Sequence, residues 1–161
     1  MQLYGGICLK KSIFSITVLA FITLFLSSCA SEPLSPLQNG SYSVIFDDFD
    51  STGWKAYLVL YVKDQKIENV EYDYIGSSTN GGKLKSEDSS YAEAMYSITG
   101  TKPELYIRQL VDSLLTHQDP DQIEAVSGAT ASTKDFKKFA KLAIEAARKG
   151  DTSPITVSQN E

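Results

Sequence analysis

The densest chemistry in the chain lies in Glu124-Ala125-Val126-Ser127-Gly128-Ala129-Thr130-Ala131-Ser132-Thr133. A short apolar segment, residues 123–126, runs into a turn of small residues, and a helical pattern begins near Ser132 or Thr133. Gly128 allows the backbone to come close to a ligand. The hydroxyls of Ser127, Thr130, Ser132 and Thr133 gather where a helix exposes its unpaired N–H groups. Those groups and the helix dipole together favour an anion such as phosphate. The same residues also suit a plain small-residue turn with an N-cap hydroxyl. Spacing alone leaves both readings open.

Other chemistries have fewer residues to work with. The chain has one histidine, His117, and two cysteines, Cys8 and Cys29. A zinc, haem or histidine-dependent hydrolase site is hard to build from that set, and no metal site is expected. His117 reads as a helix-end residue facing the dipole. Asp47, Asp48 and Asp50 form an acidic turn without the ligand spacing of an EF-hand, so a solvated turn is expected. No general acid, base or nucleophile set is visible, so substrate turnover by protein side chains is not expected and no catalytic residue is assigned.

The N-terminal residues read as a targeting segment. Lys10 and Lys11 precede the apolar stretch IFSITVLAFITLFL, which is short for a membrane span, and Leu26-Ser27-Ser28-Cys29 has the form of a lipobox. Residues 1–28 are expected to be a lipoprotein signal peptide. Cys29 is expected to be lipidated, which places the protein on the lipid bilayer at the extracytoplasmic face. Residues 29–39, with Pro33 and Pro36, read as a tether, 40–150 as one domain and 151–161 as a polar, frayed tail. Without Lys10 and Lys11 the 15 basic residues become 13 against 20 acidic ones, a net charge of −7. An acidic domain of this kind is a poor nucleic-acid binder, and no nucleic-acid partner is expected.

The elements that must position the motif follow from periodicity. Residues 41–46 alternate, with Tyr42, Val44 and Phe46 on one face. Residues 54–63 put Trp54, Ala56, Leu58, Leu60 and Val62 on one face and Tyr57, Val59 and Tyr61 on the other, which predicts a central strand packed on both sides. Asp64-Gln65 turns tightly into a third strand, 66–74, with Val70, Tyr72 and Tyr74 aligned. In a two-residue turn Gln65 would carry a strain of ~1–2 kcal/mol. Residues 75–88 read as a polar loop. A helix over about 89–98 places Tyr91, Met95 and Ile98 on one side. Thr101-Lys102-Pro103-Glu104 has capping-box spacing before a helix with Ile107, Leu110, Val111, Leu114 and Leu115 inward. The last helix buries Phe136, Phe139, Ala140, Ala143 and Ala147 and ends by Gly150. With residues 123–126 as a short strand, the order β-β-β-α-α-(β)-α predicts an α+β fold: one small domain, an antiparallel sheet packed with about three helices.

Ser127-Gly128-Ala129-Thr130 resembles the flavinylation motif of the FMN-binding domain family, which includes small Gram-positive-type lipoproteins. The resemblance extends to Phe46-Asp47-Asp48-Phe49-Asp50, Gly53-Trp54-Lys55, Gly82-Lys83-Leu84-Lys85-Ser86-Glu87-Asp88 and Gly100-Thr101-Lys102-Pro103-Glu104. It implies a flavin transferase that uses FAD and leaves FMN joined through its phosphate to Thr130. It also implies an electron carrier fed by a membrane redox donor. Glu124 stands where the family pattern has Asp. The extra methylene displaces the carboxylate by more than an ångström, and a misplacement of that size can cost ~100-fold in rate. A flavin ring needs an aromatic platform, for which Trp54, Tyr91 and Met95 are candidates, and polar contacts, for which Lys85 and Ser86 are candidates. The second reading is a surface lipoprotein of the same fold that has lost the flavin and acts as a binding module.

Overall fold

The computed structural model describes residues 35–159. The expected signal peptide, Cys29 and the start of the tether lie outside the described residues. Three strands come first: β1 Gly40–Phe46, β2 Trp54–Lys63 and β3 Lys66–Gly76. Three helices follow, α1 Ser89–Thr99, α2 Pro103–His117 and α3 Thr130–Lys149, and then β4 Ile155–Val157. The sheet order is β3-β2-β1-β4. β1, β2 and β3 pair antiparallel, whereas β4 runs parallel to β1. The fold is α+β with three helices, as expected, on a mixed sheet.

Alternation decides which face is dry. Tyr42, Val44, Phe46, Trp54, Ala56, Leu58, Leu60, Val62, Val70, Tyr72 and Tyr74 are all buried. α3 covers β1 and β2, and α2 covers β3. Every predicted inward residue of α3 is buried without measurable exposure. β2 is central, but its Tyr57-Val59-Tyr61 face is only half-buried rather than packed. The β2–β3 connection is a two-residue turn with Asp64 and Gln65 at φ of 49° and 63°. Both residues carry the strain that the sequence implied for Gln65. Gln118, left-handed at the end of α2, plugs the outer edge of β3. Its Oε1 accepts from the Ile67 amide (2.8 Å) and its Nε2 donates to the Ile67 carbonyl (3.0 Å).

The structure differs from the sequence expectations in further places: of the residues expected inward on α2, Leu110 and Leu114 are buried but Ile107, Val111 and Leu115 are half-buried. Residues 123–126 form no strand: Ile123 and Val126 are buried in an unpaired connection between α2 and α3. The fourth strand lies instead in the stretch expected to be frayed. After Gly150 (φ 68°) the chain turns back along β1, Val157 is buried, and the Gln159 amide donates to Asp47 Oδ1 (2.9 Å). α3 starts at Thr130 rather than 132 or 133. The capping box does not form. Lys102 is the N-cap of α2 without a side-chain cap, Thr101 is buried, and Glu104 pairs with Lys102. Ile98 does not share the inner side of α1 with Tyr91 and Met95, which are half-buried; it is 84% exposed. Among the described residues, no helix is long and apolar enough to cross a membrane.

Candidate functional site

The N-terminus of α3 is shaped by the residue that seemed free to serve a ligand. Thr133 is buried, and its hydroxyl accepts from the Val126 amide (3.1 Å) and donates to the Ala129 carbonyl (3.0 Å). The Ala129 amide in turn donates to the Val126 carbonyl (2.9 Å). These bonds close residues 126–133 into a fixed turn. Gly128 sits in it at φ 76°, and a Cβ there would stand 2.8 Å from Thr99 Cβ and 2.9 Å from the Thr99 carbonyl oxygen. Only glycine combines that backbone with that contact. The turn therefore rests directly on the α1–α2 corner. Lys137, two turns into α3, holds the approach by donating to the Ile123 carbonyl (2.9 Å).

The turn leaves the helix end open. The N-cap, Ala129, has no side chain that can accept a hydrogen bond, and the first turn of α3 holds no acidic residue. The amides of Thr130, Ala131 and Ser132 have no acceptor among the described residues. Beside them the side chains of Ser127 and Thr130 are exposed. Three aligned N–H groups at the positive end of a 20-residue helix, next to a free hydroxyl, form a donor set that fits a phosphate ester. Ser132 faces the other way. Its carbonyl accepts from Tyr72 (3.2 Å), its hydroxyl lies within reach of Tyr74 and Tyr106, and Tyr72 and Tyr74 share a 2.7 Å hydrogen bond. Burial pushes all three phenols up, so they remain proton donors.

Trp54, Tyr91 and Lys85 come together next to this tyrosine pair. The Lys85 ammonium lies 4.4 Å from the Tyr74 ring centre, 4.6 Å from Tyr91 and 5.5 Å from Trp54. Trp54 meets Tyr91 edge-on at 5.7 Å and is almost wholly buried, so it walls a box rather than offering a bare face. Burial pulls the Lys85 ammonium below its usual range, against the opposing fields of Asp50, Asp73 and Asp135. Desolvation works to raise the Asp50 carboxyl. Hydrogen bonds from the Trp54 and Thr52 amides and the Thr52 hydroxyl override it and hold the group low. Ser86 is occupied: its hydroxyl donates to Asp73 Oδ2 and its amide to Oδ1. Met95, half-buried on α1, lies one turn beyond Tyr91 and packs against the core.

Glu124 is exposed and rims a cleft of about 240 Å³ with Gln109, Ser113 and His117 of α2. A larger groove of about 620 Å³ runs between α1 and α2, past Ala92, Tyr96, Lys102 and Leu105, toward the corner that carries Gly128. Sequence reasoning missed Tyr74, Tyr106, Asp73 and Asp135 as neighbours of the motif. The one available signal was Asp73, a charge set between two core-facing tyrosines.

The comparisons with known proteins agree with this arrangement. The FMN-binding domain family profile matches residues 53–145, which takes in both the Lys85 box and the turn before α3. The 15 kDa lipoprotein of Treponema pallidum (strain Nichols) is 33% identical over 134 residues, 83% of this chain and 91% of that one. The crystal structure of a Clostridium perfringens protein superposes with a TM-score of 0.71 at 34% identity, covering 76% of this chain and 98% of that one. This chain belongs to the FMN-binding domain family, and its cofactor is flavin mononucleotide.

Proposed function

We propose that the protein is a lipid-anchored, extracytoplasmic electron carrier whose FMN is joined covalently to Thr130. The observation that carries this reading is the exposed Thr130 hydroxyl, set at the first position of α3 beside three amides without acceptors. In the attachment step a flavin transferase presents FAD. The Thr130 oxygen forms a bond to the flavin-side phosphorus, the phosphoanhydride bond breaks, AMP leaves, and the hydroxyl proton is released. The amides of Thr130, Ala131 and Ser132 would then hold the phosphate oxygens. Ser127, Gly128 and Ala129 give the turn its shape, Thr133 locks it, and Glu124 is the acidic position that the transferase reads. Trp54, Tyr91, Met95, Lys85 and Ser86 are the residues assigned to the surroundings of the ring. Bound flavin supplies one- and two-electron chemistry. Lipidation at Cys29 would keep the carrier beside its membrane redox donor, and the lipoprotein relative supports that anchor.

Intact mass of the protein co-expressed with a flavin transferase tests the reading. Wild type should gain one FMN less water, and Thr130→Ala should gain nothing. A wild type that stays unmodified rejects covalent attachment. Glu124 in place of Asp favours one alternative, a domain of the same fold that works as a binding module without flavin. A colourless protein purified from cells that contain the transferase would select it. In that case Glu124→Asp is expected to restore colour.

A further inference from the structure

Lys85 opens the short 3-10 turn Lys85–Glu87 and is 6% exposed, with its ammonium inside the box of Trp54, Tyr74 and Tyr91. A buried ammonium is ordinarily paired, because desolvation is costly. This one makes no ion pair and no hydrogen bond among the described residues. Asp50, Asp73 and Asp135 act on it only at longer range. Asp50 is occupied by Thr52 and Trp54, and Asp73 by Ser86 and the Tyr74 amide. Contact with the rings explains how a cation is tolerated there. It does not explain why a cation is present where a methionine would fill the space without desolvation. The three N–H donors of Lys85 thus lack an acceptor among the described residues, and the nitrogen keeps some contact with solvent at the mouth of the box. The Tyr74 ring that flanks them reaches the Ser132 hydroxyl in the first turn of α3.

We propose that Lys85 is the charge partner of the flavin. Its ammonium meets the pyrimidine edge of the ring and favours the reduced cofactor, in which that edge carries negative charge. The inference rests on the FMN reading above. Reduction by two electrons and one proton from the donor adds one negative charge to the flavin, and Lys85 keeps its own proton throughout. Positive charge at this edge raises the reduction potential.

Redox titration of the flavin-loaded protein tests the assignment, with wild type compared against Lys85→Met. The variant should retain its FMN mass while its preference for the reduced over the oxidised cofactor falls at least tenfold, about 30 mV for a two-electron couple. An unchanged potential in folded, loaded Lys85→Met overturns the proposal. Should Lys85→Met fail to fold, the wild type alone decides. Coupling is reciprocal, so reducing the flavin must tighten proton binding at Lys85 at least tenfold, read by side-chain NMR. Proton affinity that is equal in both redox states overturns the proposal. Should the wild type carry no covalent FMN, free riboflavin, which lacks the phosphate, separates the two ideas. The apoprotein should bind it at least tenfold more tightly than Lys85→Met does. Equal or absent binding removes Lys85 from the site.

Discussion

The two ends of α3 are built from opposite choices. At the C-terminal end the Ala146 and Ala147 carbonyls both find partners. Gly150 turns left-handed and donates back to Ala146 and Ala147, Asp151 donates to Ala146, and Gln38 of the entering chain donates to Ala147 (2.9 Å). Arg148 and Lys149 place positive charge over the negative end of the dipole. At the N-terminal end the cap is alanine, no acid occupies the first turn and three amides stay open. A Ser, Asp or Asn cap would add about 1 kcal/mol there. Thr133, well placed to interact with the helix start, turns its hydroxyl backwards to fix the loop. One helix thus ends in a closed joint that holds the chain, and begins in a rigid seat that waits for a ligand. The difference marks the N-terminal end as the one that can accept an anion, because its open amides are joined there by an uncapped turn and exposed hydroxyls.

The sharpest way to break this contrast is to spoil the rigidity of the open end. Gly128→Ala must place a Cβ against Thr99 at a positive φ. The left-handed backbone costs ~1–2 kcal/mol and the overpacking ~1–3 kcal/mol, so a loss of about 2–5 kcal/mol is expected in urea unfolding, together with a lower flavinylated fraction. A loss below 1 kcal/mol would mean that the turn is soft and that its glycine serves only the modifying enzyme. Thr133→Val comes next. It keeps the shape but orphans the buried Val126 amide, at a cost of about 2 kcal/mol, while the Ala129 carbonyl keeps its bond from the Thr133 amide (2.9 Å). Thr133→Ser should recover most of that. If Val is as stable as Thr, the hydroxyl does not hold the turn.

How much of this was legible differs between the same two regions. Strands β1–β3 and the inner face of α3 were legible because a buried sheet face imposes period two and a core-facing helix imposes period 3.6. β4 was not: three residues in a polar tail carry no usable period, and Val157 becomes a core residue only through its pairing beside β1. Ile98 looked inward from i+3 spacing, but α1 is short and ends at the corner where Gly128 docks, which leaves Ile98 beyond the core. At the site, the hydroxyl proposed as the acceptor could be named from the motif, and Trp54, Tyr91 and Lys85 could be named singly. The box they form with Tyr74 depends on β3 and the 85–87 turn meeting across the sheet edge, which no local spacing encodes.

At the closed end the expected effects are smaller and leave the flavin untouched. Gly150→Ala keeps the left-handed cap position (φ 68°) but adds a Cβ in ordinary contact with Gln38. It should cost about 1 kcal/mol in thermal unfolding while loading with FMN as completely as wild type. Reduced loading would show that the two ends are coupled through the helix.

Arg148→Ala is the mildest change and separates the ends by mechanism. The guanidinium donates to the Ser35 carbonyl (2.6 Å) from a solvent-facing position and sits over the helix dipole. Both interactions are wet, so about 0.5 kcal/mol is expected at low salt. At 1 M salt the screening length falls to about 3 Å, and most of that difference should vanish. The penalties of Gly128→Ala and Thr133→Val arise from a clash and from a buried orphaned amide, so they should persist at the same salt. Salt dependence that followed the opposite pattern would mean that the N-terminal turn is held by charge rather than by shape. A turn held by charge would not stay fixed while its three amides await an acceptor.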